Sequence, residues 1–461
     1  MFELHHLTAL EQLDGLRRGD LTPAELTDHY LARIERLNTE LGAFTQVTAD
    51  RARERVAEVD GMPHALPLWG LPFADKDLVR RVGVPTRFGS RAFADHVPVQ
   101  SDELATIFDA AGAISLGKTT TPEFGLSSYA EPLAGPIARN PYDLTLGPGG
   151  SSGGAAVAVA AGLVPFAPGS DGGGSIRIPA AATGLVGLKP SRGRIAAASG
   201  FGGLAGLVVA GPLARTVADA ALLLDALVAP GLPQWATSPP TWDGGAYLSA
   251  AVRGEGRFSI AVTRDTPWAA SYDLELAPEA DGALTRALAE LDALGHGIDE
   301  LSLSPEPQYA TMFRRVWQGE AAGLELDDAQ HKQVEPLTRW LVDEGRALGA
   351  RELGAALDWL AGYERRLIAQ FAPFDAILTP AMALTPRPIG WYDAENPDHN
   401  FEQQVRYTPY TSMVNVSGLP AIVLPVQQTA DGLPMGVQLI GRPGGEHVLL
   451  AIGAQLERRL G

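Results

Sequence analysis

The sequence predicts an α/β fold, and three observations carry the prediction. A helical pattern over 102–111 feeds a short apolar run at 113–116 that reads as a buried strand. The same order returns where a helix of small residues, 152–162, leads into the apolar run 163–167. Further strand patterns at 258–262, 375–378 and 421–426 are separated by helical stretches.

The elements follow in order. Residues 8–17 and 22–36 read as helices: Thr8 with Glu11, and Thr22 with Glu25, have capping-box spacing, and Pro23 suits a first helical turn. Leu26, Tyr30, Ile34 and Leu37 keep an apolar stripe, which assigns these helices to an outer layer. The run 68–74 reads as a strand ending at Asp75-Lys76-Asp77. Ser101 stands where a cap for the helix 102–111 is needed, and Pro122 with Gly125 marks 119–125 as a loop. The small side chains of 152–162 let that helix lie close to a sheet. Residues 170–175 read as the turn after strand 163–167. Pro179 starts a short helix that Gly184 ends, before a strand at 185–188.

Residues 226–256 are rich in Pro and Gly and read as a surface excursion. Leu284, Leu288, Leu291 and Leu294 mark an amphipathic helix, and 307–370 is largely helical, with Trp317, Trp340 and Trp359 as packing anchors. A helix over 448–460 closes the chain. There is no internal repeat and no clear boundary, so one domain over 1–461 is expected.

Composition narrows the function. Hydrophobic residues are 46% and charged residues 20%, the balance of a globular enzyme. With 36 Lys+Arg against 54 Asp+Glu the net charge is −18, which argues against nucleic acid as a partner. Absence of cysteine excludes disulfides and thiol nucleophiles. No leader pattern and no apolar run of membrane-spanning length are visible, so a cytoplasmic location without membrane contact is expected. No metal-binding motif, phosphate loop or intact dinucleotide fingerprint appears, so no cofactor is expected.

The chemistry concentrates in 147–177, GPGGSSGGAAVAVAAGLVPFAPGSDGGGSIR. Ser151 and Ser175 each sit in a glycine cluster, which suggests that exposed N–H groups and hydroxyl nucleophiles share one site. Ser152, near a helix start, reads as its cap. Asp171 and Arg177 bracket Ser175 and read as an ion pair that sets the loop. By itself, Lys76 after a strand reads as a surface residue. GGSSG at 149–153 also fits the nucleophile elbow of α/β-hydrolases, with His296, His331, His399 and His447 as available bases.

The segments GGSSGG, SDGGGSIRIP and GLVGLKPSRGR resemble the amidase signature family of serine hydrolases. The resemblance extends to GLPFADKD at 70–77, GKTTTPEFG at 117–125, ARNPYD at 138–143, DAILTPA at 375–381 and NVSGLPAIVLP at 415–425. The DGGGSIRIP variant is closer to the subgroup that includes 6-aminohexanoate cyclic dimer hydrolase.

The resemblance implies a large central mixed β-sheet flanked by helices on both faces. Core motifs would lie at 70–225 and 371–461, around a substrate-selecting insert at about 226–370. It implies amide hydrolysis through an acyl-enzyme, with Ser175 as nucleophile, Ser151 as bridging serine after a cis Gly150–Ser151 peptide, and Lys76 as base. A lysine base must be neutral, and burial favours the neutral form. Asp75, where the family commonly has an apolar residue, would oppose this unless strand alternation turns it away. Gly172, Gly173, Gly174 and Ser175 would offer backbone N–H groups to the oxyanion. Leu126, Ser127, Ser128 and Tyr129 would lie beside a small amide substrate. Trp317, Tyr392 and Tyr410 are candidates for the pocket or for the core.

The alternative within this resemblance is the amidase-type subunit of a tRNA-dependent amidotransferase. The charge, and the lack of anything like its tyrosine-rich loop around 307–345, argue against that reading. Substrate identity is open, and so is oligomeric state, a homodimer included.

Overall fold

A computed structural model describes residues 3–195, 203–228 and 239–460. Among these, eleven strands form two sheets. They are β1 (Phe44–Val47), β2 (Pro72–Lys76), β3 (Ile114–Thr119), β4 (Phe166–Asp171), β5 (Val186–Lys189), β6 (Val209–Ala214), β7 (Ser259–Val262), β8 (Gly297–Glu300), β9 (Ala376–Pro380), β10 (Ala421–Gln428) and β11 (Pro434–Gly441).

The smaller sheet has the order β1-β3-β2, with β2 parallel to β3. The larger has the order β4-β6-β5-β10-β11-β9-β7-β8 and is mixed: β7 runs parallel to β8 and β9, and the remaining pairs are antiparallel. With its flanking helices this is the expected α/β architecture. Strands β9 and β11 lie inside the sheet and are buried along their whole length, so their burial does not alternate. β8 stands at the sheet edge, and its exposed Glu300 keeps that edge charged.

Local chemistry sets the first helices. Ala9–Arg18 and Pro23–Leu41 both begin with a complete capping box, from Thr8 with Glu11 and from Thr22 with Glu25. Leu26, Tyr30 and Ile34 are buried and Leu37 packs against them at the core margin. The small-residue helix is Gly153–Ala160. A Cβ on Gly154 would fall 2.4 Å from the Thr120 nitrogen, so only glycine lets the helix start lie against that backbone.

Several expectations need correction. The helix at 102–111 is Glu103–Ala110 and starts from Asp102, not Ser101. The Asp102 carboxylate accepts from the Arg80 backbone and guanidinium instead of capping, and Ser101 accepts from the Val82 N–H. The strand expected at 163–167 runs from Phe166 to Asp171, because each of its residues pairs with one of β6. Ser170 and Asp171 therefore belong to the strand, and the turn starts at Gly172. The short helix begins at Arg177 rather than Pro179.

The excursion at 226–256 contains the helix Tyr247–Arg253, while its residues 229–238 lie outside the described residues. β6, β11 and the helix Val217–Leu227 were not legible as separate elements. No helix among the described residues is long and apolar enough to cross a membrane.

The helices Tyr309–Ala322, Pro336–Ala347 and Ala350–Phe371 bring an aromatic cluster onto the sheet. Trp268 meets Tyr309 edge-on with ring centroids 5.1 Å apart, and Phe313 and Trp317 stack at 5.8 Å. Trp359 stacks on Tyr363, and the Arg314 guanidinium lies over Trp340. Trp340 and Trp359 are thus packing anchors, whereas Trp317 continues the aromatic row into the site.

Candidate active site

β2 carries Lys76 into the interior, where the side chain is 1% exposed. Its Nζ lies 2.7 Å from Ser151 Oγ, 3.0 Å from Ser152 Oγ and 3.0 Å from Ser170 Oγ. Burial pushes its amine down from 10.5 to about 7, with Asp171 pulling weakly the other way. Strand alternation turns Asp75 to the opposite side. There it accepts from Arg81 (Nε, 2.8 Å) and Ser115 (2.7 Å), so it does not hold Lys76 charged.

A neutral lysine has two N–H donors and one lone pair. The Ser152 hydroxyl lies 3.3 Å from the Ser170 carbonyl and donates to it, which leaves its oxygen to accept from Lys76. The lone pair is then available to the hydroxyl of Ser151. Ser152 heads the helix Gly153–Ala160 but makes no side-chain cap, so the capping expectation fails. The cradle around the amine draws the hydroxyl inward, away from the helix N–H groups. Ser170 was missed as part of this cradle; its place next to Asp171 in SDGGGS was the available signal.

The peptide Gly150–Ser151 is cis. The Ser152 N–H donates to the Ser175 carbonyl at 3.2 Å, which ties the two serine turns together. Ser175 is 8% exposed, and its hydroxyl has no hydrogen bond among the described residues. Catalytic hydrogen bonds commonly tighten only when substrate is present.

The turn after β4 is held from below. Asp171 accepts from the Gly174 N–H at 2.8 Å, from the Ile176 N–H at 3.2 Å, and from Arg177 at 2.9 and 3.0 Å. Burial pushes this carboxyl up, but Arg177 and its hydrogen bonds outweigh burial and hold it below the usual carboxylate range. Arg177, itself fully buried, also donates to the Thr411 carbonyl, Gln438 and Asn415. Thus the 415–425 motif and β11 brace the loop that presents Ser175. Thr411, Asn415 and Gln438 were not singled out from the sequence.

This bracing corrects the expected nest. The Gly174 N–H points to Asp171 and is not free for an oxyanion, because the carboxylate folds back under the turn. The N–H groups of Gly172, Gly173 and Ser175 have no partner among the described residues. Gly174 is needed for another reason: its φ is +133°, and a Cβ there would lie 2.5 Å from Thr411 Oγ1.

Two cavities meet at Ser175 and share Gly125, Leu126 and Trp317. The first is walled by Trp268, Phe313, Trp317 and Phe401, with Ser127, Ser128 and Gly173 at its side. The second holds Ser151, Ser170 and Gly172, with Leu78, Phe124, Leu324 and Glu320. Leu126, Ser127 and Ser128 line the first cavity. Tyr129 does not: its ring stacks on Tyr392 at 4.0 Å and its phenol accepts from Asn400. Burial in that stack also removes Tyr392 from the site, and Tyr410 is buried outside both cavities.

The four histidines of the elbow reading lie elsewhere. His296 stacks on Phe258, His447 stacks on Trp242, and His331 and His399 pair with Asp343 and Asp393. No cluster of three or more His, Asp or Glu side chains able to hold a metal occurs among the described residues.

The family profile described as Amidase matches residues 25–450. Putative amidase AmiB2 of Mycobacterium tuberculosis is 38% identical over 455 residues, covering 97% of this chain and 95% of that protein. A glutamyl-tRNA(Gln) amidotransferase chain of Roseiflexus sp. is 33% identical over 484 residues, covering 99% and 96%. The solved structure of 6-aminohexanoate cyclic dimer hydrolase with its substrate superposes with a TM-score of 0.88 at 29% identity, over 99% of this chain and 98% of that one.

Proposed function

The chain belongs to the amidase signature family and hydrolyses amide bonds; from that premise we propose that Ser175, Ser151 and Lys76 carry the reaction on a small-molecule amide. The observation that supports this reading most directly is the buried Lys76 amine, 2.7 Å from Ser151 and held near neutrality by burial.

Ser175 Oγ attacks the amide carbonyl and gives its proton to Ser151, which passes its own proton to Lys76. The developing oxyanion is met by the N–H groups of Gly172, Gly173 and Ser175. When the C–N bond breaks, the Lys76 ammonium returns the proton through Ser151 to the leaving nitrogen. Water then attacks the acyl-enzyme by the same relay, with its proton carried to Lys76 and back to Ser175. Ser152 and Ser170 position the amine, and Asp171 and Arg177 position the loop.

The test is hydrolysis of amides, anilides, esters and a cyclic amide dimer by the purified chain alone, beside Ser175→Ala, Ser151→Ala and Lys76→Ala. The expected result is activity that each substitution lowers at least about a thousandfold. A Ser175→Ala variant that keeps its activity overturns the assignment. A second reading, one chain of a tRNA-dependent amidotransferase, draws on the 33% identity to the Roseiflexus protein. It predicts silence across the panel until partner chains and charged tRNA are supplied.

A further inference from the structure

The second cavity contains a group that the reaction above does not use. Glu320 lies on the helix Tyr309–Ala322, one turn beyond Trp317, and lines the cavity together with Ser151 and Ser175. Both of its carboxyl oxygens are shut off from solvent and have no hydrogen-bond partner among the described residues. Leu78, Phe124, Val208 and Leu324 wall the same cavity. Among the described residues lining either cavity, Glu320 is the only ionisable one apart from hydroxyls. A buried carboxyl without partners is costly, and a ligand that brings a donor or a cation removes that cost.

The two cavities also differ in what they offer the reaction. Ser151 lines only the cavity with Glu320, whereas the aromatic wall of Trp268, Phe313 and Phe401 lines only the other. On the relay proposed above, Ser151 hands its proton to the leaving nitrogen. The leaving amine therefore departs into the cavity of Glu320, and the acyl group occupies the aromatic one.

We propose that Glu320 is a specificity residue for amides whose leaving amine carries a second, protonated amino group, and that this ammonium pairs with the Glu320 carboxylate. The inference rests on the Ser175–Ser151–Lys76 reading. In the free protein burial pushes the Glu320 carboxyl up to about 8. A cation beside it favours the ionised form and replaces an unpaired acid with a buried ion pair. An uncharged chain of the same length cannot do this, so discrimination is strong in the direction of the diamine.

The experiment compares the mono-phenylacetyl amide of butanediamine with the phenylacetyl amide of pentylamine, which matches it in length and lacks the charge. The protein should show a kcat/KM at least about tenfold higher on the charged amide, and Glu320→Gln should bring the ratio to about one. Equal rates in the unsubstituted protein, or a preference that survives Glu320→Gln, overturn the inference. Titration calorimetry of the unsubstituted protein gives a reading that needs no variant. Butanediamine should bind at least about tenfold more tightly than pentylamine, and equal affinity overturns the inference.

Ser175→Ala separates the two levels. If it abolishes turnover of both amides while the ratio ignores Glu320, only the role of Glu320 fails. If turnover survives Ser175→Ala, the underlying site reading fails.

Discussion

Replacing Lys76 by methionine should abolish hydrolysis and make the protein more stable at neutral pH. In the unfolded chain the amine titrates near 10.5, whereas in the fold burial moves it to about 7. Folding at pH 7 must therefore strip or bury a proton that the unfolded chain keeps, at a cost of about 4 kcal/mol. Methionine removes that cost. It also removes the three hydrogen bonds to Ser151, Ser152 and Ser170, each worth about 1 kcal/mol, so the variant should gain about 1 kcal/mol net at pH 7.

The sign of the pH dependence is specific. Between pH 7 and 10.5 the unfolded chain holds this proton and the folded chain does not, so wild-type stability rises with pH. Above 10.5 the penalty is gone, and below 7 it is complete. Well above pH 7 the folded amine is neutral, so its three hydrogen bonds contribute a constant there. Lys118 and Lys189, which burial also pushes down, are present in both proteins and cancel. Urea unfolding at pH 7, 8 and 9 should therefore show the variant losing about 2 kcal/mol relative to wild type across that range. The same group should shape the kinetics: kcat/KM on a neutral amide should fall about tenfold per pH unit well below pH 7 and level off above 8. A stability difference that is constant with pH, or a rate that keeps climbing to pH 10, refutes the depressed lysine and with it the base assignment.

Three other substitutions test the supports of the site. Ser152→Ala removes one partner of the Lys76 amine and should lower kcat about tenfold while leaving KM nearly unchanged, as steady-state kinetics would show. Gly174→Ala forces a Cβ to within 2.5 Å of Thr411 Oγ1 at a positive φ; urea melts should show a loss of about 2 to 4 kcal/mol. Arg177→Leu removes the guanidinium that pairs with the buried Asp171. It should cost about 3 to 5 kcal/mol in the same melts, and a smaller loss would mean that Asp171 is not anchored by this pair.

What is legible in the sequence divides by range. The capping boxes at Thr8 and Thr22 were legible because both partners lie within one helical turn. The shared site of Ser151 and Ser175 was legible because glycine clusters flank both hydroxyls, and Lys76 entered through the family resemblance. Ser152 was misread because its cap position is a local property, whereas its actual partner stands 76 residues away in the chain. Ser101 was misread for the same reason, since its hydroxyl answers the backbone of Val82.

Glu320 was within reach. It stands three and seven positions after Trp317 and Phe313 on one helix, so a carboxylate interrupts an apolar face there.

By itself the sequence determined the alternation of helices and strands, the clustering of serine and glycine in two turns, and the absence of a thiol nucleophile. These follow from residue type and short-range spacing. Only the tertiary structure decided which hydroxyls surround Lys76, that Gly174 gives its N–H to Asp171, and that Asp75 faces away. It also decided that Glu320 lines the same cavity as Ser175. The Lys76 cradle and the shared cavity depend on segments tens to hundreds of residues apart meeting in the interior. Burial there sets both the partners of a polar group and its charge.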